Sequence, residues 1–398
     1  MIATGNHAVA YGVRSARAEV VAAYPITPQT QIVEKLSEFM ASGEMRGRYI
    51  RVESEHSALS ACYGAAACGA RAFTATSSQG LLYMNEMVFW TGLGRIPMVM
   101  AVVNRTLAPP WSIWNEHTDQ LAQRDAGWIS MICESVQEAY DTSIMAFRVA
   151  EDAEVMQPVM FGLDAFSLSH TAERLDLMPQ EDADAFLPRL DPSMLPVLMD
   201  TRSPATYGNL TGPDAMMEVR SAIRDALERS KRVIEEAAGA FGRASGRRQA
   251  GLVEDYRCGD AEVVIVVAGA SSGDAKDAAD ALRDQGTRAG VLRMKAVRPF
   301  PSEAIVRAVG GAKAVAVVDR DYSFGMGGIL ATEAASVVGG RAARYVAGLG
   351  GRDIRPEDFM GMAADALRAA ESGDPAQGHE VWWGLRRSPS APGGQGGA

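Results

Sequence analysis

Residues 24–30, Tyr-Pro-Ile-Thr-Pro-Gln-Thr, place a hydroxyl between two prolines directly after the apolar run 20–23. Each proline fixes its own φ and biases the preceding residue away from the helical region, so the sequence predicts a rigid, extended turn. A helix is predicted next, over 31–40, with Thr30 as a first-turn cap. Thr27 should therefore present its hydroxyl at the carboxyl end of a strand, where open α/β sheets bind ligands. The alternative for this segment alone is a turn merely stiffened by proline.

Three more polar segments follow predicted strands. They are residues 52–57 (Val-Glu-Ser-Glu-His-Ser), 76–80 (Thr-Ser-Ser-Gln-Gly) and the stretch from Asn104 to Asp119. Because parallel strands end at one edge of a sheet, we expect their polar groups to converge with Thr27.

Glu55 opens a predicted helix whose first residues are small and packable. A carboxylate in a first turn interacts favourably with the helix dipole, and that structural role is the alternative reading. The functional reading is a carboxyl group in a dry pocket that forms one short hydrogen bond to a heteroaromatic nitrogen.

Arg105 follows an apolar strand and has no acidic residue close by in sequence. A substrate carboxylate, bound in forked geometry, is the expected partner. A salt bridge to Glu53 or Asp119 is the alternative. Ser78 and Gln79 open another helix, and we expect their segment to offer free N–H groups and hydroxyls to an anion or a cofactor edge.

Asn104, His117 and Asp119 are candidate rim residues of the same site. His117 could relay a proton or stabilise its loop. The five histidines show no metal-ligand spacing, so we predict no metal site in this chain. The segment 269–273, Gly-Ala-Ser-Ser-Gly, fails the dinucleotide-binding pattern and is interpreted as a structural turn.

The elements that must position these residues alternate between strand and helix, which predicts an α/β fold with a doubly wound parallel sheet. The strand candidates of the first half are 19–23, 49–52, 72–76, 98–103 and 158–163, and its helix candidates are 31–40, 56–69, 80–91 and 136–149. A second α/β unit begins at 261, with strands at 262–268, 290–294 and 314–318 and helices at 274–285, 302–309 and 327–338.

We therefore divide the chain into a first domain over 1–240, a linker over 241–259, a second domain over 260–372 and a tail over 373–398. The first domain includes a surface excursion and a long helix within 171–240, predicted over 214–240. The tail is predicted to be partly disordered, although Trp382 and Trp383 should dock on a partner or on the domain body.

Composition and charge argue against several classes of partner and location. A net charge of −10 without a basic stripe argues against nucleic acid or a membrane surface as partner. No apolar stretch is long enough to span a bilayer, and no leader-like segment begins the sequence. Four scattered cysteines give neither a disulfide framework nor iron–sulfur spacing, so we expect a reduced, cytoplasmic protein.

Several motifs in fixed order resemble one family, the alpha subunits of 2-oxoacid:ferredoxin oxidoreductases of the pyruvate synthase type. The motifs are 24–28 (Tyr-Pro-Ile-Thr-Pro), 53–55 (Glu-Ser-Glu), 74–80, 103–105 (Val-Asn-Arg), 111–119, 123–128, 137–140, 298–301 (Arg-Pro-Phe-Pro), 318–320 and 348–353. The resemblance spans about residues 3 to 372. It implies a thiamine-diphosphate pyrimidine-binding domain followed by a transketolase C-terminal-like domain.

The resemblance also implies an activity: oxidative decarboxylation of pyruvate with CoA to acetyl-CoA, CO₂ and reduced ferredoxin, or the reverse. Glu55 would bind N1′ of the aminopyrimidine, and Thr27 and Arg105 would hold the 2-oxoacid carboxylate. Tyr24, Pro25, Ile26, Ser78 and Gln79 would complete the cofactor contacts.

This sequence lacks a Gly-Asp-Gly motif with a downstream Asn for diphosphate and Mg²⁺, and it lacks cluster cysteines. We therefore expect Mg²⁺ and the 4Fe-4S clusters in partner subunits: a beta subunit that completes the thiamine diphosphate site, and gamma and delta-type subunits, with ferredoxin as electron acceptor. A branched-chain 2-oxoacid (2-oxoisovalerate) or oxalate is the alternative substrate. The non-enzyme alternatives are a nucleotide- or CoA-binding subunit and a purely structural subunit.

Overall fold

The computed structural model describes residues 1–195, 199–372 and 380–386. Its strands are β1 (Ile2–Thr4), β2 (Val20–Ala23), β3 (Arg48–Arg51), β4 (Ala72–Thr76), β5 (Val99–Asn104), β6 (Ile129–Ile132), β7 (Val159–Asp164), β8 (Ala172–Arg174), β9 (Val253–Tyr256), β10 (Val263–Val267), β11 (Ala289–Met294), β12 (Ala296–Arg298), β13 (Ala314–Asp319), β14 (Ala342–Val346) and β15 (Glu380–Trp382).

The helices cover both faces of the sheets that these strands form. They are α1 (Gly5–Ser15), α2 (Thr30–Ser42), α3 (Glu55–Ala67), α4 (Ser78–Tyr83), α5 (Asn85–Leu93), α6 (Thr118–Leu121), α7 (Val136–Ala150), α8 (Gln180–Phe186), α9 (Pro213–Ser245), α10 (Ser272–Asp284), α11 (Ser302–Val309), α12 (Ile329–Val338) and α13 (Pro356–Ser372), with short 3₁₀ helices at Pro192–Met194, Gly339–Arg341 and Leu349–Gly351.

The first sheet has the strand order β12-β6-β7-β5-β4-β2-β3, and its pairs are parallel except for β12. Its central strands β5 and β7 are buried along their whole length. Alternate residues face opposite sides, so Val99 and Val103 pack with α1 and α7, whereas Met100 and Val102 pack with α3 and α5. This confirms the predicted doubly wound α/β arrangement.

The second sheet has the order β15-β14-β13-β10-β11-β9, with β9 as an antiparallel edge strand. Helices α10 and α13 cover one face, and α11 and α12 cover the other. The second α/β unit is thus confirmed, although the sequence patterns missed β14 and α13.

The predicted linker over 241–259 is wrong. Helix α9 continues to Ser245 because Phe241 is fully buried against Phe186, with 5.0 Å between the ring centroids. Strand β9 then pairs with β11 and extends the second sheet. The loss of apolar periodicity after Gly239 reflects these local contacts and not a free connection.

The predicted helix over 80–91 is interrupted. Helix α4 ends at Tyr83 and α5 begins at Asn85, because the buried Met84 between them has a bridge-region backbone with φ −93° and ψ 8°.

One strand crosses between the two halves of the molecule. Strand β11 belongs to the second sheet, yet β12, a single residue later, pairs antiparallel with β6 of the first sheet. The residue between them, Lys295, is fully buried, and its Nζ lies 3.0 Å from Oε1 of Glu138 on α7. The two sheets therefore share one continuous segment of chain.

The docking expected of the paired tryptophans is observed. Trp382 lies on β15, which pairs with β14, and Trp383 donates from Nε1 to Oδ1 of Asp358 at 3.0 Å. The predicted disorder of the tail concerns residues 373–379 and 387–398, which lie outside the described residues.

Candidate active site

The loops that follow β2, β4 and β5 meet at the carboxyl edge of the first sheet, as predicted. Arg105 joins them: its Nη1 donates to the carbonyl oxygen of Thr27 at 2.6 Å, and its Nη2 donates to Oε1 of Gln79 at 3.1 Å. Side chains that are far apart in sequence thus form one cluster, and Thr27 itself remains exposed.

The Arg105 guanidinium is 6% exposed and has no carboxylate partner among the described residues. Burial lowers the pKa of Arg105, while the nearby charge of Asp119 opposes that effect. The alternative salt bridge to Glu53 or Asp119 is wrong, because Asp119 contacts only the backbone N–H of Arg105, at 3.0 Å. The ring of Trp111 lies 5.6 Å from the guanidinium carbon.

Glu55 is the first residue of α3, behind Ser54, whose hydroxyl accepts from the backbone N–H of Ser57 at 3.2 Å. Its side chain is buried and makes no hydrogen bond or ion pair with any described residue. The Oγ1 of Thr76 nearby is also buried without a partner. A largely buried carboxyl without a partner among the described residues, beside a buried hydroxyl that also lacks one, fits a polar group supplied from outside the chain.

Gly80 determines how closely α4 approaches Glu55. A Cβ at this position would lie 2.7 Å from Oε1 of Glu55 and 2.5 Å from Oγ1 of Thr76. The sequence did not predict this role, because it marks Gly80 only as part of a helix start.

Ser77 and Ser78 use the donors that we expected to be free. The Ser77 hydroxyl donates to the carbonyl of Val103 at 2.7 Å, and the Ser78 hydroxyl contacts the carbonyl of Thr106. The backbone N–H of Ser78, whose φ is +47°, donates to Asp119 Oδ2 at 2.9 Å. The expectation of free hydroxyls here is therefore wrong, and the segment is held by contacts within the chain.

Asp119 holds the loops of the site together by hydrogen bonds and does not line its rim. Its fully buried carboxylate accepts from the backbone N–H groups of Ser78, Arg105 and Gln120 and from the Asn104 side chain, at 2.8 to 3.0 Å. Burial raises the pKa of Asp119 to about 6, against the lowering effect of these donors. Asn104 is equally buried, so the side chains of Asp119 and Asn104 fix the positions of Ser78 and Arg105 from the protein interior.

His117 is also buried, at the contact between the two halves. Its Nε2 lies 2.6 Å from Oδ1 of Asp164, whose Oδ2 accepts from the backbone N–H of Ala270 at 2.9 Å. Burial alone would lower the pKa of His117, but the Asp164 carboxylate raises it overall. These contacts favour the loop-stabilising role over the proton relay. Asp164 was missed by sequence reasoning, since nothing marks a residue that ends a buried strand.

Residues 269–273 lie at this same contact between the two halves. A Cβ on Gly269, whose φ is +75°, would lie 2.8 Å from Nε2 of His117. The segment therefore closes against the first half of the chain, in agreement with a structural turn.

Tyr24, Pro25 and Ile26 line the turn that carries Thr27, and Tyr24 is exposed. The described residues contain no group of three or more His, Cys, Asp or Glu arranged for a metal ion. Across the described ranges, no helix has both the length and the apolar character needed to cross a lipid bilayer.

Two family profiles match this chain. Residues 11–239 match pyruvate flavodoxin/ferredoxin oxidoreductase, thiamine diphosphate-binding, and residues 261–359 match pyruvate:ferredoxin oxidoreductase core domain II.

Curated relatives are similar over nearly the whole chain. The pyruvate synthase subunit PorA of Methanothermobacter thermautotrophicus is 46% identical, covering 89% of this chain and 92% of its own length. The ketoisovalerate oxidoreductase subunit VorA of Pyrococcus abyssi is 45% identical, covering 97% and 98%.

Solved structures share the fold. The 2-oxoglutarate:ferredoxin oxidoreductase from Magnetococcus marinus matches with a TM-score of 0.73 at 18% identity, over 92% of this chain and 65% of that chain. A split-gene transketolase matches with a TM-score of 0.55 at 13% identity, over 92% and 98%. These matches confirm the predicted pairing of a thiamine-diphosphate-type domain with a transketolase-like domain. This chain therefore belongs to the pyruvate flavodoxin/ferredoxin oxidoreductase family, as its motifs predict.

Proposed function

We propose that this chain is the alpha subunit of a thiamine-diphosphate-dependent enzyme that oxidatively decarboxylates pyruvate with CoA, or runs the reverse reaction, using ferredoxin. Family membership and the similarity to a pyruvate synthase subunit support the reaction class. The observation that carries the proposal is a buried, unpartnered Glu55 carboxyl on the same sheet edge as a guanidinium, Arg105, that lacks a carboxylate partner among the described residues.

Glu55 is the proposed contact to N1′ of the aminopyrimidine ring. Its carboxyl has no competing partner in the described chain, so a ring nitrogen can share its proton without breaking an existing bond. When bound, thiamine diphosphate supplies the nucleophilic carbon and the electron sink of the reaction. Gly80 contributes by leaving room for the Glu55 carboxyl, and Tyr24, Pro25, Ile26, Ser78 and Gln79 form the proposed lining around the cofactor.

Arg105 and Thr27 are the proposed anchors for the 2-oxoacid carboxylate. Two of the guanidinium nitrogens already donate to neutral oxygens, which orient the group without neutralising it. A carboxylate can accept the remaining N–H groups, and the exposed Thr27 hydroxyl adds a donor beside it.

The remaining components are assigned to other subunits. A beta subunit would hold the diphosphate with Mg²⁺ and carry 4Fe-4S clusters, with gamma and delta-type subunits completing the complex and ferredoxin as its electron acceptor. Exposed aromatic side chains on the loops and helix that follow β4 and β5 support a partner on this face: Tyr83, Trp111 and Trp114. The four cysteines are all free, which agrees with the reducing cytoplasm as the proposed compartment.

The test is Glu55→Gln in the assembled complex, with Glu53→Gln as the matched control. The amide cannot share a proton in the same way, so turnover with pyruvate should fall at least a hundredfold, about 2.7 kcal/mol or more of lost transition-state stabilisation. Glu53 is a solvent-exposed acid two residues away that binds the Ser57 hydroxyl, and its variant should keep near-normal turnover. Subunit assembly is followed by size-exclusion chromatography, and an intact, fully active Glu55→Gln complex would refute the role.

A branched-chain substrate is the second candidate, favoured by the 45% identity to a ketoisovalerate oxidoreductase subunit. Comparing kcat/KM for pyruvate, 2-oxoisovalerate and oxalate on one preparation of the complex separates the candidates. A higher value for 2-oxoisovalerate would reassign the substrate and leave the reaction class unchanged.

A further inference from the structure

A polar cavity lies at the edge of the first sheet opposite to the candidate active site. Its volume is about 620 Å³, and its lining includes the loops that precede β2, β3 and β4. Five arginines contribute to it: Arg14, Arg17, Arg46, Arg71 and Arg189. We call it the arginine cleft. A volume of this order suits a small-molecule ligand.

Three of these arginines are already paired. Arg71 binds both carboxylate oxygens of Glu151 at 2.7 Å. Arg14 pairs with Glu44 at 2.9 Å, and Arg17 lies 3.1 Å from Asp184.

Arg46 and Arg189 remain. Both are exposed, and neither makes a hydrogen bond or ion pair with another described residue. The one other carboxylate of the lining, Glu19, accepts from the backbone N–H of Arg71 at 3.0 Å.

The guanidinium groups lie close enough to repel one another. Burial lowers the pKa of Arg17, and the charges of Arg71 and Arg189 lower it further against the opposing effect of Asp184. Against the carboxylates of Glu19, Glu44, Glu151 and Asp184, the five arginines leave the cleft with one positive charge in excess, in a chain whose net charge is −10. Converging guanidiniums in a concave site favour the oxygens of phosphate groups, which they bind in forked geometry.

We propose that the arginine cleft binds a small polyanion of the di- or triphosphate class, with Arg46 and Arg189 as the residues that contact it. The concave shape favours a small molecule over a flat acidic protein surface. The site is separate from the proposed active site, because its loops precede the parallel strands β2 and β4, whose opposite ends carry Thr27 and Thr76. Its occupant is therefore a regulatory or stabilising ligand and not the substrate.

The test is isothermal titration of the full chain with inorganic tripolyphosphate in 150 mM NaCl, where weak surface attraction is screened. We expect one site per chain for the wild type. Arg46→Gln combined with Arg189→Gln should weaken binding at least tenfold, and neither residue has a contact in the described chain whose loss would disturb folding.

The matched control removes two positive charges elsewhere, Arg355→Gln with Arg368→Gln, both exposed on the second half. It should bind like the wild type. Absence of wild-type binding, or equal weakening in the control, overturns the proposal. Loss of assembly with the partner subunits in the cleft variant, without tripolyphosphate binding in the wild type, would show a protein interface and also overturn it.

Discussion

Arg105 combines near-complete burial with the lack of any carboxylate partner in the described chain. A buried cation is costly unless it is paired, so its two neutral hydrogen bonds leave a demand for negative charge. Glu55 presents the complementary case, a buried carboxyl with no donor. At the scale of single residues, the proposed site is a pair of groups, Glu55 and Arg105, that no described residue of the opposite charge pairs with.

Replacing Arg105 by alanine in the complex should raise the KM for the 2-oxoacid by at least thirtyfold, because the substrate carboxylate loses a charged, forked partner. Arg105→Lys should recover part of this loss, since a single point charge replaces the fork. Steady-state kinetics over a range of pyruvate concentrations measure both effects.

Arg51→Ala is the control for that experiment, since it removes an exposed positive charge from the end of neighbouring β3. Its KM should stay within twofold of the wild type. An unchanged KM for Arg105→Ala would assign the carboxylate to another residue.

The sequence predicts Thr27, Glu55 and Arg105 as site residues because each follows a recognisable strand pattern with an unusual polar residue at its end. It could not identify Asp119 as the organiser of the loops or Asp164 as the partner of His117. Those roles depend on which backbone N–H groups converge in space, and a single sequence carries no local signal for that. The same limit explains the wrong expectation for Ser77 and Ser78, whose hydroxyls contact carbonyls from another strand.

At the scale of elements, two helices begin at the proposed site. Because Gly80 has no side chain, their first turns can lie close together. Helix α3 begins with Glu55, and α4 brings Gly80 against its carboxyl. Parallel strands with short loops bring such starts together, which is why the edge itself could be predicted. The break between α4 and α5 could not, because it follows from the burial of Met84.

Gly80→Ala should lower turnover of the complex at least tenfold while the chain stays folded, because the added methyl would displace the Glu55 carboxyl. Gly64→Ala is the matched control: it lies inside α3, and an added Cβ would meet nothing within 4 Å. That control should keep full activity and gain about 0.5–1 kcal/mol of stability.

Turnover assays and thermal unfolding of both variants give the comparison. Equal activity of Gly80→Ala and the wild type would show that this contact does not position Glu55.

At the scale of the whole molecule, the chain offers the proposed pyrimidine-binding edge but no diphosphate motif, which is why we propose a site shared with a partner subunit. The exposed Trp111, which lies beside the Arg105 guanidinium, supports a partner on this face. The two halves of the chain are themselves joined by buried ionic contacts, among them Arg320 with Asp164 and Lys295 with Glu138.

The isolated chain should show no measurable binding of thiamine diphosphate by calorimetry, whereas the assembled complex should bind it with Mg²⁺ present. The reason is that most of the cofactor's charge lies on the diphosphate, for which this sequence has no motif. Tight binding by the chain alone would contradict the shared site.

The His117–Asp164 pair, which supports the contact with the second half, should stabilise the fold less as the solution becomes alkaline. The pKa of His117 is raised in the folded chain, so its contribution is complete below about pH 6.5 and is lost as pH rises through the folded value. The pKa of Asp164 is lowered, so its contribution is present above about pH 3.8 and is lost as pH falls.

Chemical unfolding of the wild type and of His117→Gln from pH 6 to 9 measures this. The stability difference between them should shrink with rising pH, at most by about 1.4 kcal/mol per pH unit for one proton. A constant gap for His117→Gln would show that the pair does not titrate in this range.

Strand β12 has a consequence for any attempt to cut this protein in two. A fragment that stops before Lys295 would leave the edge of β6 without its hydrogen-bonded neighbour and Glu138 without Lys295. Bare edges of that kind recruit strands from other molecules, so such a fragment should aggregate. Because the backbone passes directly from the second sheet to the first at β12, splitting the gene or truncating the chain between the two halves is disfavoured.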